Sequence, residues 1–236
     1  MVDRCEFYVL SYKNEERKTA LQHRFEKLEI GVTFYDGVDF NDERIKDFNC
    51  HKKAWSYTYG HFDMINKFLT ETGKEYGIFC EDDIYLHKDL KNNMPIIIED
   101  FNTMNLDLLL LGYINTFKIY DSYMHYHHKH PFVEERPHKY HNYPTELWGA
   151  QMYMISRKHA QNLIDTYYNG YAEKSLNPDS GLKPFCSDWT ITKDGNRALV
   201  YPMYALEDGK THYDHYGQEV FHQTSFRVNY IETDYV

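Results

Sequence analysis

Residues 76–86 read Tyr76-Gly77-Ile78-Phe79-Cys80-Glu81-Asp82-Asp83-Ile84-Tyr85-Leu86, an apolar run followed by three carboxylates. The first five residues are mostly apolar and do not alternate with polar ones, which predicts a strand covered on both faces, as in an α/β sheet. A buried strand cannot hold three ionised carboxylates, so Glu81, Asp82 and Asp83 are expected where the strand leaves the sheet.

The position of these carboxylates suggests a function. Open α/β sheets bind ligands at the carboxyl ends of their parallel strands. Carboxylates at that edge would attract a hard divalent cation, and with the cation a phosphate ester. The alternative interpretation is an ordinary acidic turn after a strand.

The order of strands and helices predicts an α/β fold with a mostly parallel central sheet flanked by helices, in a single domain over residues 1–236. Asn14 and Ser156 are each in position to cap the helix that follows, and Pro95 is expected to limit the helix after the acid cluster. No GxGxxG motif is present, so a dinucleotide-binding fold has no support. The predicted strands are residues 6–11, 32–36, 76–80, 106–112, 150–155 and 198–201, and the main predicted helices are residues 15–29, 51–72 and 157–167.

Composition limits the classes of partner. The 236 residues include 36 acidic and 26 basic side chains, for a formal charge of -10. This balance argues against a general nucleic-acid binder, which needs a basic surface. It leaves room for a nucleotide ligand, whose phosphates a metal can neutralise. The 23 tyrosines suit stacking on sugars or bases, although core packing accounts for most of them.

The cysteines and the N-terminus bear on location. Cys5, Cys50, Cys80 and Cys186 form no CxxC pair, which favours a reducing compartment. No signal-peptide pattern and no apolar stretch of membrane-spanning length is evident. We therefore expect a soluble, cytoplasmic protein, which reaches any membrane-bound substrate from solution or through a partner.

Residues 113–145 differ from the rest of the chain because apolar periodicity is lost. This pattern predicts a long loop or lid that faces the acceptor. A zinc site is the alternative, but the histidine spacing matches no structural zinc pattern. From about residue 206 the chain becomes a polar and aromatic tail that could pack on the body. The histidines of the loop are His125, His127, His128, His130, His138 and His141.

Several landmarks, taken in order, resemble glycosyltransferase family 25, the lipopolysaccharide and collagen galactosyltransferase type with a GT-A fold. The resemblance covers about residues 6–205, and a viral or otherwise diverged GT-A relative fits equally well. The matching pieces are the Tyr8-Val9-Leu10-Ser11 strand with Glu15-Glu16-Arg17, Asp36-Gly37, Trp55-Ser56, Glu81-Asp82-Asp83, Trp148-Gly149-Ala150 with Tyr153-Met154-Ile155-Ser156-Arg157, and Ser187-Asp188.

The resemblance implies a nucleotide-sugar donor, most often a UDP-sugar, held through Mn²⁺ or Mg²⁺. It implies Asp83 as a direct metal ligand and Glu81 as a ribose or water-mediated contact, while Asp82 could exchange roles with either. A late histidine often completes such a site, and His212, then His215, is the candidate. A cation held there would offset the charge that develops on the leaving diphosphate.

The remaining site residues follow from the same resemblance. If the sugar's configuration inverts, Asp188 is the expected base and Glu146 the reserve; the alternative for Asp188 is a helix N-cap. The implied acceptor is a glycan, glycolipid or glycoprotein. The nucleotide is expected near Ser11, Tyr12 and Arg17, and the sugar against Trp148.

Two other functions remain open from the sequence. A noncatalytic carbohydrate- or nucleotide-binding module would bind without turnover. A metal-dependent phosphohydrolase would release phosphate or nucleotide without an acceptor, although the chain lacks the spread of histidines and aspartates typical of two-metal sites. The donor sugar, the acceptor and the stereochemical outcome are not readable from the sequence.

Overall fold

The computed structural model describes residues 2–48, 52–119, 136–145, 147–211, 213 and 215–236. Its centre is a seven-stranded sheet in the order β2-β1-β3-β7-β5-β8-β6, and a two-stranded sheet joins β4 to β9. The strands are β1 (Cys5–Ser11), β2 (Thr33–Asp36), β3 (Tyr76–Glu81), β4 (Ile84–Leu86), β5 (Leu108–Ile114), β6 (Lys139–Asn142), β7 (Trp148–Ser156), β8 (Arg197–Tyr201) and β9 (Ala205–Glu207).

Five strands of the large sheet run in one direction, while β6 and β7 run against them. Strands β3, β5 and β7 form the middle of the sheet, and their burial patterns are almost uniform. Burial on both faces explains why these segments read as continuous apolar runs rather than as alternating ones. The mixed α/β architecture predicted from the sequence is confirmed.

Helices cover both faces of the sheet and divide the core in two. The helices are α1 (Glu15–Lys27), α2 (Lys52–Glu71), α3 (Leu90–Thr103), α4 (Arg157–Leu163, continued by a π-helical turn at Ile164–Tyr168), α5 (Tyr171–Ser175), α6 (Ser187–Thr190) and α7 (Tyr216–Asn229). One cluster packs α2 and α4 against strand residues such as Tyr8 and Leu10. The other packs α1 and α3 against Phe7 and Val9, which point to the opposite face.

Both predicted caps are present. The Asn14 side chain accepts a hydrogen bond from the Arg17 backbone N–H at 3.1 Å, and the Ser156 hydroxyl accepts one from the His159 backbone N–H at the same distance. The expectation that Pro95 limits the next helix was wrong, because α3 continues through it to Thr103. An interior proline costs about 3 kcal/mol. The buried apolar face of α3 offsets this, since each large side chain contributes about 1.5–3 kcal/mol.

A further difference concerns the segment that was expected to be a loop. The expected loop at 113–145 contributes Tyr113 and Ile114 to β5 and residues 139–142 to β6, which pairs antiparallel with β8. His125, His127, His128 and His130 lie outside the described residues. The tail packs on the body through β9 and α7. Strands β6 and β9 carry little local signal, because both are short and gain their stability from pairing.

The pairing of β4 with β9 positions the acid cluster. Strand β3 ends at Glu81, and Ile84 at the start of β4 pairs with Glu207 at the end of β9. The Asp83 carbonyl accepts a hydrogen bond from the Asp208 backbone N–H at 2.8 Å. Asp82 and Asp83 therefore occupy the turn between the large and the small sheet. Among the described helices, none combines the length and the apolar character needed to cross a membrane.

Candidate functional site

A cleft of about 1160 Å³ opens at the edge of the sheet where β1 and β3 end. Strand β7 runs antiparallel to β3, so its first residues reach the same edge. The cleft therefore joins residues that are far apart in sequence. The predicted site residues that line it are Tyr12, Arg17, Glu81, Asp82, Asp83, Trp148 and Asp188.

Ser11 and Arg17 hold the aspartates of the cluster. The Ser11 hydroxyl donates to Asp82 Oδ2 at 2.7 Å and is itself buried. The Arg17 guanidinium lies 3.3 Å from Asp83 Oδ2 and 3.8 Å from Asp82 Oδ1. Burial raises the pKa of Asp82, whereas the hydrogen bond from Ser11 opposes that rise. Strand β1 and helix α1 thus fix the cluster from the side where a nucleotide was expected.

Asp83 is a buried carboxylate of the cleft. Its Oδ2 accepts hydrogen bonds from Arg17 and from the Thr211 hydroxyl at 3.1 Å, but its Oδ1 is buried without a partner among the described residues. Burial raises the pKa of Asp83 well above its usual value, and the charges of Glu81 and Glu207 add to the rise. An orphaned carboxylate oxygen among other carboxylates fits a site for a hard cation.

The described residues contain no group of three histidine, cysteine, aspartate or glutamate side chains with the geometry of a metal site. His212, the predicted late ligand, lies outside the described residues, while the second candidate, His215, lines the cleft. Asp83 would accordingly be the principal protein ligand. Water and phosphate oxygens commonly supply the remaining positions around Mg²⁺.

Glu81 faces a buried histidine. Glu81 Oε1 lies 3.6 Å from the Nε2 atom of His61, which is completely buried in α2. The other ring nitrogen of His61 bonds to the Tyr153 hydroxyl at 3.0 Å, whereas Nε2 has no hydrogen-bond partner among the residues that the structure describes. Glu81 and Asp83 therefore have different surroundings, an imidazole for the first and a guanidinium for the second.

Asp188 lines the same cleft as the cluster and lies in the first turn of α6. Its Oδ1 accepts a hydrogen bond from the Gly149 backbone N–H at 2.6 Å. The N-cap position of α6 belongs to Cys186, so the capping alternative for Asp188 was wrong. Burial raises the pKa of Asp188, and the bond from Gly149 works against that rise. A carboxylate with a raised pKa, in a cleft, suits a general base.

Trp148 forms an aromatic wall beside Asp188. The residue is 38 % exposed, so core packing does not account for it. Trp189 packs against it edge-on, with ring centroids 5.5 Å apart, and the Lys193 ammonium lies 3.6 Å from the Trp148 centroid. These contacts hold the indole at the cleft. Flat aromatic faces of this kind are suited to the apolar face of a sugar.

Tyr12 lines the cleft directly after the end of β1. Its hydroxyl donates to Asp39 Oδ2 at 2.6 Å, which ties the residue to the loop after β2. Gly37 in that loop packs directly against Tyr12, because a Cβ atom on Gly37 would lie only 2.7 Å from the Cβ of Tyr12. The expected nucleotide-binding surface is thus built on a fixed loop.

The sequence reasoning missed Glu207 and His222. Glu207 ends β9, and its Oε2 lies 2.5 Å from His222 Nδ1 in α7, with the Tyr213 hydroxyl 3.0 Å from the same nitrogen. Both Tyr213 and His222 line the cleft. A signal was present in the sequence, because Glu207 and Asp208 follow an apolar run in the way that Glu81, Asp82 and Asp83 do.

Two of the predicted residues belong elsewhere or cannot be placed. Glu146, the reserve base, lies outside the described residues. His138, from the histidine-rich segment, is buried away from the cleft and bonds to the hydroxyls of Tyr204 and Tyr140, each at 2.7 Å. Burial lowers the pKa of His138 to about 4, so it remains neutral at physiological pH. It anchors β6 rather than facing an acceptor.

Comparison with known proteins adds a family. The profile of glycosyltransferase family 25, described as LPS biosynthesis protein, matches residues 5–176, which is most of the chain. Among curated proteins there is no significant match.

Solved structures with distant similarity to this chain include the following three. A197 from STIV is 12% identical over 83% of this chain and 81% of that chain, with a TM-score of 0.43. A mannose-1-phosphate geranyltransferase from Thermus thermophilus is 12% identical over 84% and 73%, with a TM-score of 0.47. A glycosyltransferase involved in the glycosylation of the major capsid of PBCV-1 is 10% identical over 73% and 71%, with a TM-score of 0.37. Similarity at this level says nothing about the function of the chain.

Proposed function

Because the chain belongs to glycosyltransferase family 25, we propose that it moves one hexosyl group from a UDP-sugar, such as UDP-galactose or UDP-glucose, to a hydroxyl of a glycan, glycolipid or protein. One observation carries the proposal. The carboxylates at the end of β3 and Asp188 in α6 line a single cleft, although they lie far apart in sequence. Transfer needs both kinds of group, the carboxylates of β3 for the donor phosphate and Asp188 for the acceptor hydroxyl.

The diphosphate end of the donor belongs beside Asp83 and Arg17. Mn²⁺ or Mg²⁺ bound to Asp83 would neutralise charge on the departing diphosphate. The Arg17 guanidinium, which is paired with Asp83 and bonded to Thr211 at 2.9 Å, is well placed to contact a phosphate oxygen. Ser11 keeps Asp82 in place, and Glu81 is positioned for a ribose or water-mediated contact.

The acceptor end belongs beside Asp188 and Trp148. In an inverting transfer, the bond from the anomeric carbon to the diphosphate oxygen breaks as the acceptor oxygen bonds to that carbon. Asp188 takes the acceptor's proton, and the nucleoside diphosphate leaves with the electron pair. The Gly149 N–H fixes the orientation of the Asp188 carboxylate, so that Oδ2 is the oxygen available for this proton. Trp148 supplies a stacking face for a sugar ring.

A donor panel tests the proposal. Thermal unfolding is measured with UDP-galactose, UDP-glucose and GDP-mannose, each with and without Mn²⁺, because a ligand of the native state raises the unfolding temperature. We expect a shift with a UDP-sugar that is larger when Mn²⁺ is present. Absence of any shift with all three donors, with Mn²⁺ present, would count decisively against the proposal.

A second measurement separates transfer from the two other functions considered for the sequence. We expect the release of nucleoside diphosphate to rise when a hydroxyl acceptor is added, with the sugar recovered on the acceptor by mass spectrometry. A binding module would show a shift without any turnover. A phosphohydrolase would release phosphate or nucleotide at a rate that no acceptor changes.

A further inference from the structure

The central strand β7 contains one polar side chain that the fold does not use. Gln151 is 4 % exposed and lines the cleft. Its Oε1 atom is buried and has no hydrogen-bond partner among the described residues. Leaving a buried carbonyl unpaired costs about 1–3 kcal/mol, so an apolar residue at this position would favour the fold. A buried polar side chain without a hydrogen-bond partner is characteristic of a binding position.

The backbone next to Gln151 is shaped to make room for its amide. Gly149 has φ of +119°, a conformation that side chains disfavour, and a Cβ atom on Gly149 would collide with Gln151 Oε1. The same Gly149 donates its N–H to Asp188. The amide of Gln151 and the carboxylate of Asp188 therefore meet at one glycine.

Glu81 lines the same cleft as Gln151 and follows the last residue of β3 that pairs with β7. Strands β3 and β7 are paired through Cys80 and Met152, so the register carried one residue further brings Glu81 opposite Gln151. Cross-strand neighbours of this kind have Cβ atoms about 4.5–5.5 Å apart. Among the residues that the structure describes, the lining of the cleft thus combines an unpaired carbonyl oxygen with two carboxylates, Glu81 and Asp188, and with Trp148.

This combination selects the chemistry of a ligand. A carbonyl oxygen and two carboxylates all accept hydrogen bonds, so the matching group is a set of hydroxyl donors on one ring. An anionic ring would be repelled by Glu81 and Asp188, whereas a neutral one would not. We infer that Gln151 accepts a hydrogen bond from a hydroxyl of the transferred sugar, and that the cleft selects a neutral hexose over a hexuronate. This inference rests on the proposed function and adds a residue that recognises the transferred sugar.

The test compares Gln151→Leu with Gln161→Leu, which replaces an exposed glutamine of α4 that lies outside the cleft. Calorimetric titration with Mn²⁺ present gives the Kd for UDP, UDP-galactose, UDP-glucose and UDP-glucuronate. For each protein, the ratio of the Kd for UDP to the Kd for the UDP-sugar measures how much the sugar contributes to binding.

We expect Gln151→Leu to reduce this ratio about tenfold for the preferred hexose, which corresponds to one hydrogen bond to a buried acceptor. The Kd for UDP itself should not change, and Gln161→Leu should behave like the wild type. The wild type should bind UDP-glucuronate no better than UDP. Monodeoxy analogues of the preferred donor should bind the wild type about tenfold more weakly when the deleted hydroxyl is the one that donates to Gln151. The Gln151→Leu variant should bind these analogues and the parent donor equally well.

A stability measurement distinguishes a loss of sugar binding in Gln151→Leu from a loss of folded protein. Because the variant removes an unpaired buried carbonyl, Gln151→Leu should unfold at the same temperature as the wild type or at a higher one. An unchanged ratio in Gln151→Leu, or an equal loss in Gln161→Leu, would overturn the inference and leave the proposed function intact. Failure of the wild type to bind any of the UDP-sugars would overturn both.

Discussion

Gly149 donates its backbone N–H to Asp188 Oδ1 at 2.6 Å, and this bond joins the first turn of α6 to the start of the central strand β7. The two residues are 39 positions apart in sequence. The bond uses one oxygen of the carboxylate and orients the other. Because Gly149 needs a positive φ to make this approach, the position admits no other residue without strain.

Replacing Asp188 tests its assignment as the base. Asp188→Asn keeps an oxygen for the Gly149 N–H but cannot accept a proton, so we expect the transfer rate to fall about 10²–10⁴-fold. The Kd for the UDP-sugar should change little. Initial rates and calorimetry measure the two quantities. Asp179→Asn, an exposed aspartate outside the cleft, is the control and should be fully active. Retention of wild-type rates in Asp188→Asn would exclude the residue as the base.

The pH dependence of transfer follows from the same carboxylate. Burial raises the pKa of Asp188 above its ordinary value of 3.8. A base acts when deprotonated, so kcat/KM should rise as the pH climbs through the raised pKa, and the acidic limb should lie above pH 3.8. The contribution of Asp188 to the free energy of unfolding changes with pH in the direction opposite to kcat/KM. The folded state binds the proton more tightly, so the proton's stabilising effect is lost as the pH rises through the folded pKa. A rate profile flat from about pH 4 to 8 would contradict this.

Asp83 is expected to control metal binding. Without metal, Asp83→Asn should be at least as stable as the wild type, because it removes a buried charge that Glu81 and Glu207 repel. With Mn²⁺ at about a hundred times its Kd, the wild type should gain about 2.7 kcal/mol, and the variant should gain much less.

Thermal unfolding with and without Mn²⁺ measures this difference, and Asp179→Asn again serves as the control. Protonation of Asp83 competes with the cation, so the metal-induced shift should grow as the pH rises. An undiminished shift in Asp83→Asn would place the metal elsewhere.

Arg157 supports the fold from outside the cleft. Its guanidinium donates to the backbone carbonyls of Phe68, Leu69, Thr72 and Lys74, where α2 ends and the chain turns into β3. Arg157→Met removes these donors, and we expect a loss of about 2–4 kcal/mol in the free energy of unfolding. Urea unfolding measures the loss. Lys158→Met, at an exposed neighbouring position, should cost less than about 0.5 kcal/mol.

The parts of the fold that were predictable from the sequence are those in which one local signal was strong. The buried strands β3 and β5 were evident as apolar runs, and Asn14 and Ser156 were evident as caps before helical patterns. Strands β6 and β9 were missed because each is short and is stabilised by a partner strand. Pro95 was misjudged for a related reason, since the packing of α3 outweighs a local preference.

The candidate site follows the same division. The carboxylates of the acid cluster were found because they interrupt an apolar run, and this interruption is visible in the sequence. Glu207 also follows an apolar run, but its place near the cleft depends on the pairing of β4 with β9, and the place of His222 depends on the docking of α7. Gln151 carried no sequence signal, because a single polar residue in a strand is ordinary until its burial is known.

Local chemistry therefore determined which segments become strands and helices and which of them end in charge, because these properties depend on neighbours within a few residues. Only the tertiary structure decided that Asp83, Asp188 and Gln151 share one cleft. Their proximity depends on the direction of β7, which runs against β3 and brings its first residues to the edge where β3 ends. The direction of a strand depends on its pairing with residues far away in sequence. The free energy of that pairing comes from all the strands of the sheet together, so no single segment reveals it.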